Sequence, residues 1–180
     1  MWQQLQNAHT QERVRATAGR AADFFGPGVT TSAFGERFFG PLINGKKAEV
    51  MGPLPNRHSV TYVRDFARAL IELGSDSRAW GRAWHVPNNP ALRIGDLVKL
   101  AAQAAGTEPA SSVITAMKLR IAGKFVPAAK ETIEMLYQFQ SDFVVDHTPF
   151  AQNFTTAATP LPEAIAATVE WYREPARQSG

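Results

Sequence analysis

Apolar positions in this chain alternate between a helical rhythm and a strand-like one. Trp2 to His9 reads as the tail of a helix that begins abruptly at Met1 without a capping residue. Arg13 to Arg20 reads as a strand, and Phe24-Phe25-Gly26-Pro27-Gly28 as a turn whose glycines and proline fix the backbone. Phe34, Phe38, Phe39 and Leu42 then recur at helical spacing behind Thr30-Thr31-Ser32, any of which can cap a helix. Lys47 to Met51 and Ser59 to Val63 are predicted strands separated by the turn-rich Gly52 to Asn56, which fits a hairpin or a strand-to-strand crossing.

Asp65 opens the next predicted helix, with Phe66, Ala67, Ala69, Leu70 and Leu73 as its apolar stripe and Gly74 as its stop. Trp84-His85-Val86 is a predicted strand and Pro87 to Pro90 a turn, followed by a helix over Leu97 to Ala105 closed by Gly106. Ser112 to Thr115 fits a strand, Met117 to Ala122 a short helix, Ala128 to Phe139 a longer one, and Phe143 to Val145 a short buried strand. Pro162 to Tyr172 is a closing helix with Glu163 in its first turn and Arg173 near its negative end. No repeat, linker or low-complexity tract interrupts this order, so the local patterns describe one mixed α/β unit.

Composition narrows the function classes. With 44% hydrophobic and 19% charged residues over 180 positions, the chain can bury a core, and disorder is excluded. No apolar run approaches the ~20 residues needed to span a bilayer, and no export signal is visible, which is the expectation for a soluble protein. Zero cysteines exclude disulfides, a thiol nucleophile and thiolate zinc ligation, and are compatible with a reducing cytoplasm. The net charge is only +3 and the basic residues are interleaved with acids. Without a basic stripe, nucleic-acid binding is not expected.

Several motifs dissolve on inspection. Gly40 to Lys47 nearly spells a phosphate-binding loop, but Lys47 replaces the magnesium-binding hydroxyl and the stretch follows a predicted helix instead of a strand. His9, His58, His85 and His147 lack metal-ligand spacing, and no serine sits in a G-x-S-x-G elbow. Asp65 is better explained by helix capping than by catalysis, and Trp2, Trp80, Trp84 and Trp171 by core packing. What remains is Arg20, Asp23, Phe24 and Phe25 just beyond a strand, where ligands gather in open α/β sheets. A ligand-facing role for Asp23 and Phe25 and a structural Asx-type turn over packed aromatics are equally compatible with that placement.

Arg20-Ala21-Ala22-Asp23-Phe24-Phe25-Gly26-Pro27 resembles the R-x-x-N/D-x-Y/F-G-P segment of extended and atypical short-chain dehydrogenases, the NAD-dependent epimerase/dehydratase family. Ser59 to Ala69 resembles that family's aromatic-V-x-D-x-A-x-A segment, Gly81 to Pro87 its next strand, and Thr159 to Arg173 its terminal helix. The resemblance implies the C-terminal portion of a Rossmann-type fold. Residues 1–30 would be a residual strand region of the cofactor domain, and residues 31–180 a small mixed α/β substrate-binding lobe that returns to the Rossmann sheet at short segments.

The same resemblance implies a substrate-binding role for Arg20, Asp23, Phe25, His58 and Tyr62, and places Ala21, Ala22 and Phe24 beside an NAD or NADP cofactor. It assigns no catalytic residue. The family's N-terminal βαβ units, its Gly-rich cofactor loop and its Tyr-x-x-x-Lys pair have no counterpart, since Tyr62, Tyr137 and Tyr172 are followed four positions on by Phe66, Ser141 and Ala176. By comparison with the family, Met1 falls inside the helix that carries the catalytic pair. The chain is therefore expected not to transfer hydride alone and to present an open sheet edge that favours association with itself or with a missing N-terminal half. The other reading is a stand-alone, non-catalytic binding or interaction module of the same fold. Relatives acting on nucleotide sugars often carry Asn where Asp23 stands and Arg near His58, so a diphosphate would meet a carboxylate here.

Overall fold

The computed structural model describes residues 1–114 and 136–174. Its helices are α1 (Trp2–Thr10), α2 (Glu36–Ile43), α3 (Val63–Ser75), α4 (Ile94–Ala105), α5 (Thr148–Ala151) and α6 (Leu161–Arg173), with single 3-10 turns at Ser77–Ala79 and Leu136–Phe139. The strands are β1 (Ala18–Arg20), β2 (Asp23–Phe25), β3 (Ala48–Met51), β4 (Arg57–His58), β5 (Val60–Tyr62), β6 (Ala83–His85), β7 (Leu92–Arg93) and β8 (Ser111–Ile114). They pair two by two. The β1–β6, β2–β5 and β3–β8 pairs are parallel and the β4–β7 pair is antiparallel.

The helices follow the periodicity of their apolar positions. In α4, Ile94, Leu97, Val98, Ala101, Ala102 and Ala105 are buried at three- and four-residue intervals. Gly106, at φ +65°, ends this helix: the N–H of Thr107 donates to Ala102 O and that of Gly106 to Gln103 O. These two bonds make a Schellman cap. Helix α6 packs along α4, and the Arg173 guanidinium donates to the carbonyl of Ala105 at the end of α4. One core joins α2, α4 and α6 through Phe34, Phe38, Phe39, Leu42, Leu97 and Ile165. A second, built from Ala69, Leu73, Trp84, Val86, Phe150 and Phe154, fills the space between α3 and β6.

Several local expectations are corrected by tertiary contacts. The strand expected over Arg13 to Arg20 shrinks to Ala18–Arg20, and Phe24 and Phe25 lie in β2, before the turn at Gly26. No β3–β5 hairpin forms, because β3 pairs with β8 and β5 with β2. None of the three hydroxyl residues caps α2; its N-cap is Gly35, where a Cβ would stand 2.6 Å from the Thr30 carbonyl oxygen. Helix α3 starts at Val63, so Asp65 lies inside its first turn, and the helix runs through Gly74. Phe143 makes only an isolated bridge to His58, and Val144 is 61% exposed. Gly40 to Lys47 is the end of α2 and the turn into β3. The helix expected over Met117 to Ala122, and that over Ala128 to Phe139 apart from its last turn, lie outside the described residues.

Candidate functional site

The site begins where β1 ends. Arg20 and His85 stand opposite one another at the carboxyl ends of β1 and β6, and the chain crosses through Ala21 and Ala22 into β2. That crossing is fixed by a buried hydrogen-bonded chain. The Ala22 N–H donates to Thr61 Oγ1 (3.0 Å), the Thr61 hydroxyl donates to Asn88 Oδ1 (2.6 Å), and the Asn88 amide donates to the Val86 carbonyl (3.1 Å). The rack joins the β1–β6 pair to the β2–β5 pair and satisfies polar groups that burial would otherwise leave unpaired.

Asp23 opens β2 with its side chain 23% exposed, and its Oδ2 accepts a hydrogen bond from His58 Nε2 at 2.7 Å. His58, on β4, is 1% exposed. Its imidazole stacks parallel to Phe139, with centroids 4.6 Å apart and planes at 2°, and lies 4.9 Å from Phe143 and 5.3 Å from Phe34. Its Nδ1 is buried with no hydrogen-bond partner among the described residues. A carboxylate, which only accepts, faces Nε2, so Nε2 is the donor of that bond. The segment carrying Phe143 is laced to β4: Arg57 N–H donates to Asp142 Oδ1 (2.8 Å), Ser59 N–H to the Phe143 carbonyl (2.8 Å), and Val145 N–H to Ser59 Oγ (3.0 Å).

The residues singled out in the sequence do not all reach one surface. Arg20 is exposed, Asp23 and Phe24 are half-buried, and Phe24 meets Phe66 edge to face at 5.0 Å. Ala21 is half-buried, whereas Ala22 is buried with its N–H committed to Thr61. Phe25 and Tyr62 are core residues, 2% and 5% exposed, with ring centroids 5.4 Å apart. Burial pushes the Tyr62 phenol up, so it stays protonated. Phe25 also lines a small cavity of about 10 Å³ with Phe34, Phe38 and Leu97. That space holds at most one water and its walls are apolar, so it belongs to packing. Asp65 does not face the site; it accepts hydrogen bonds from Thr159.

The aromatic shelter around His58 and the Thr61–Asn88 rack escaped sequence reasoning. Asn88 sits in a segment whose Pro-Asn-Asn-Pro composition signals only a turn, and Phe139 and Phe143 are brought to His58 from more than 80 positions away, as the 83-residue separation of Asn56 from Phe139 illustrates.

The connection from β2 into α2 carries Gly26, Gly28 and the N-cap Gly35, but Pro27 lacks an N–H and the connection runs from Gly26 to Gly35, unlike the tight glycine turn at a helix N-terminus that cradles a pyrophosphate. Ala21 and Phe24 offer apolar surface that fits beside a cofactor ring. They supply no donors for its phosphates.

The fold is similar to that of several solved structures, and the chain spans about half the length of each of them. UDP-glucuronic acid 4-epimerase from Bacillus cereus, solved with UDP-glucuronic acid and NAD, is similar with a TM-score of 0.69 and 13% identity, over 94% of this chain and 49% of that one. UDP-N-acetylglucosamine 4-epimerase from Methanobrevibacter ruminantium M1, solved with UDP-N-acetylmuramic acid, gives 0.68 and 16% over 94% and 50%. RMD from Pseudomonas aeruginosa, complexed with NADPH, gives 0.64 and 15% over 95% and 52%. At these identities the likeness is one of fold. No protein-family model matches the chain, and no curated protein matches it.

Proposed function

We propose that this chain is the C-terminal, substrate-binding portion of an NAD(P)-dependent epimerase, dehydratase or reductase, and that it is not a competent oxidoreductase by itself. The observation that carries the reading is the partly exposed Asp23 carboxylate, held by a buried histidine beside the carboxyl end of a parallel strand pair, in a fold similar to that of such enzymes over about half their length. In this reading Asp23 and Arg20 meet the substrate, His58 positions Asp23, and Phe25 and Tyr62 form the packed floor beneath. Ala21 and Phe24 border the nicotinamide side, while the buried Ala22 lies behind them. Residues 1–30, with β6 as the partner of β1, belong to the edge of the cofactor domain, and the rest forms the substrate lobe.

The cofactor, when bound, supplies hydride transfer; the residues described here only orient a substrate against it. A complementary N-terminal half would bring the donors for the pyrophosphate and the proton-transfer pair. Calorimetric titration tests this division. The expected result is no binding of NAD(H) or NADP(H) by the purified chain at micromolar concentrations, and binding once a polypeptide with the N-terminal half is added. Micromolar binding by the chain alone would overturn the reading.

A further inference from the structure

We infer that the cleft where β1 and β6 end binds a small zwitterion, an α-amino acid, with its carboxylate on Arg20 and Arg82 and its ammonium on Asp146. The inference goes beyond the substrate-site reading and shares only Arg20 with it.

The cleft has a volume of about 160 Å³, and its lining includes Arg20, Arg82, Trp84, His85 and Asp146. At about 30 Å³ per water this is room for about five waters, which suits a small amino acid and is too little for a nucleotide. Arg20 and His85 are register partners at the carboxyl ends of parallel strands, so their side chains share one face of the pair. The Arg82 guanidinium lies 4.2 Å over the ring of the buried Trp84. Stacking fixes its plane and leaves its N–H groups, a fork that matches a carboxylate, on the open edge.

Opposite charges line this cleft without neutralising one another. Neither arginine has an ion pair among the described residues, and neither has Asp146. Asp146 is nonetheless ionised: hydrogen bonds from Thr148, one of them its N–H to Oδ1 at 2.8 Å, hold the carboxyl below the usual carboxylate range, and His147 and His85 lower it further. His85 ties the two sides together. Its Nδ1 lies 3.0 Å from the Asp146 carbonyl, which only accepts, so the ring donates there and sets the Asp146 segment against β6. A phosphate would satisfy the arginines but meet the carboxylate, and an amine alone would satisfy Asp146 but meet two guanidiniums. A molecule carrying both signs answers both sides, and its charged hydrogen bonds are the strong kind.

The test is an NMR titration of the full chain at pH 7, following the His85 ring and Arg82 Nε resonances with L-alanine, acetate, methylammonium and inorganic phosphate. L-alanine is expected to move these resonances at a concentration roughly fivefold lower than any of the other three. Asp146→Asn keeps an acceptor for Thr148 and should reduce L-alanine to the level of acetate. Arg82→Gln should weaken L-alanine and acetate together, whereas Arg15→Gln, whose arginine stacks on Trp80 outside the cleft, should change neither. Acetate, methylammonium or phosphate acting at concentrations as low as L-alanine would overturn the inference. So would the absence of any response to L-alanine, or an L-alanine advantage kept in Asp146→Asn or Arg82→Gln. The cofactor titration above reads the substrate-site proposal separately, and either can fail with the other intact.

Discussion

Asp65 holds Thr159 from 94 positions away: its Oδ2 accepts the Thr159 backbone N–H and its Oδ1 the Thr159 hydroxyl, each at 2.7 Å. Arg68 closes the arrangement by donating to Asp65 Oδ1 and to Thr159 Oγ1. This fixes the entry of the chain into α6. Because Asp65 is 1% exposed, Asp65→Ala leaves the part-buried Thr159 N–H without its acceptor and should cost about 3 kcal/mol. Thr159→Ala keeps the backbone bond and should cost about 1 kcal/mol. Urea unfolding of the two variants checks the order, and equal losses would contradict it.

Glu72, two turns further along α3, grips the same segment. Its carboxylate accepts the N–H and hydroxyl of Thr155 and the N–H of Thr156 at 2.7–2.8 Å. Burial pushes this carboxyl up, but the hydrogen bonds from Thr155 and Thr156 outweigh burial and bring it from 4.5 down to about 2. A carboxyl depressed in the folded state stabilises the fold above its unfolded value, and that contribution is lost as pH falls from about 4.5 toward 2. Glu72→Gln should therefore lower the melting temperature at pH 7 and flatten its fall across that window.

The Thr61 rack makes a local prediction. Thr61→Val preserves shape but removes the acceptor of the Ala22 N–H and the donor to Asn88. It should cost about 2 kcal/mol through unsatisfied buried groups. Hydrogen exchange at the Ala22 amide should accelerate with it, and an unchanged rate would contradict the assigned bond.

Gly52 tests the packing above His58. It has φ +74°, and a Cβ there would stand 2.2 Å from the Phe139 carbonyl oxygen. Gly45 has φ +67° but no atom within 4 Å of a Cβ. Gly45→Ala thus carries only the left-handed backbone cost of about 1 kcal/mol, whereas Gly52→Ala must also displace Phe139 and should cost about 2–3 kcal/mol. Chemical denaturation of the pair, with near-UV circular dichroism reporting the aromatic shelter, measures the difference.

The amino-acid order alone determined the main helices, because their apolar periodicity and their caps act within a few residues. Leu97, Val98, Ala101 and Ala105 with Gly106 specify α4 and its end, and the run through Leu73 specifies the body of α3. It also singled out Arg20 to Gly28, of which Arg20 is exposed and Asp23 partly so. Strand partners and boundaries were decided elsewhere, since a strand of three residues is defined by its neighbour: Asp23 to Phe25 became extended only on meeting Val60 to Tyr62. The same holds for the site. Asp23 and His58 were each visible, but their union across 35 residues required β2 and β5 to pair in register and β4 to lie alongside Phe143. Local preference acts over one or two turns of chain, whereas the position of a buried donor relative to its acceptor is set by packing between distant elements.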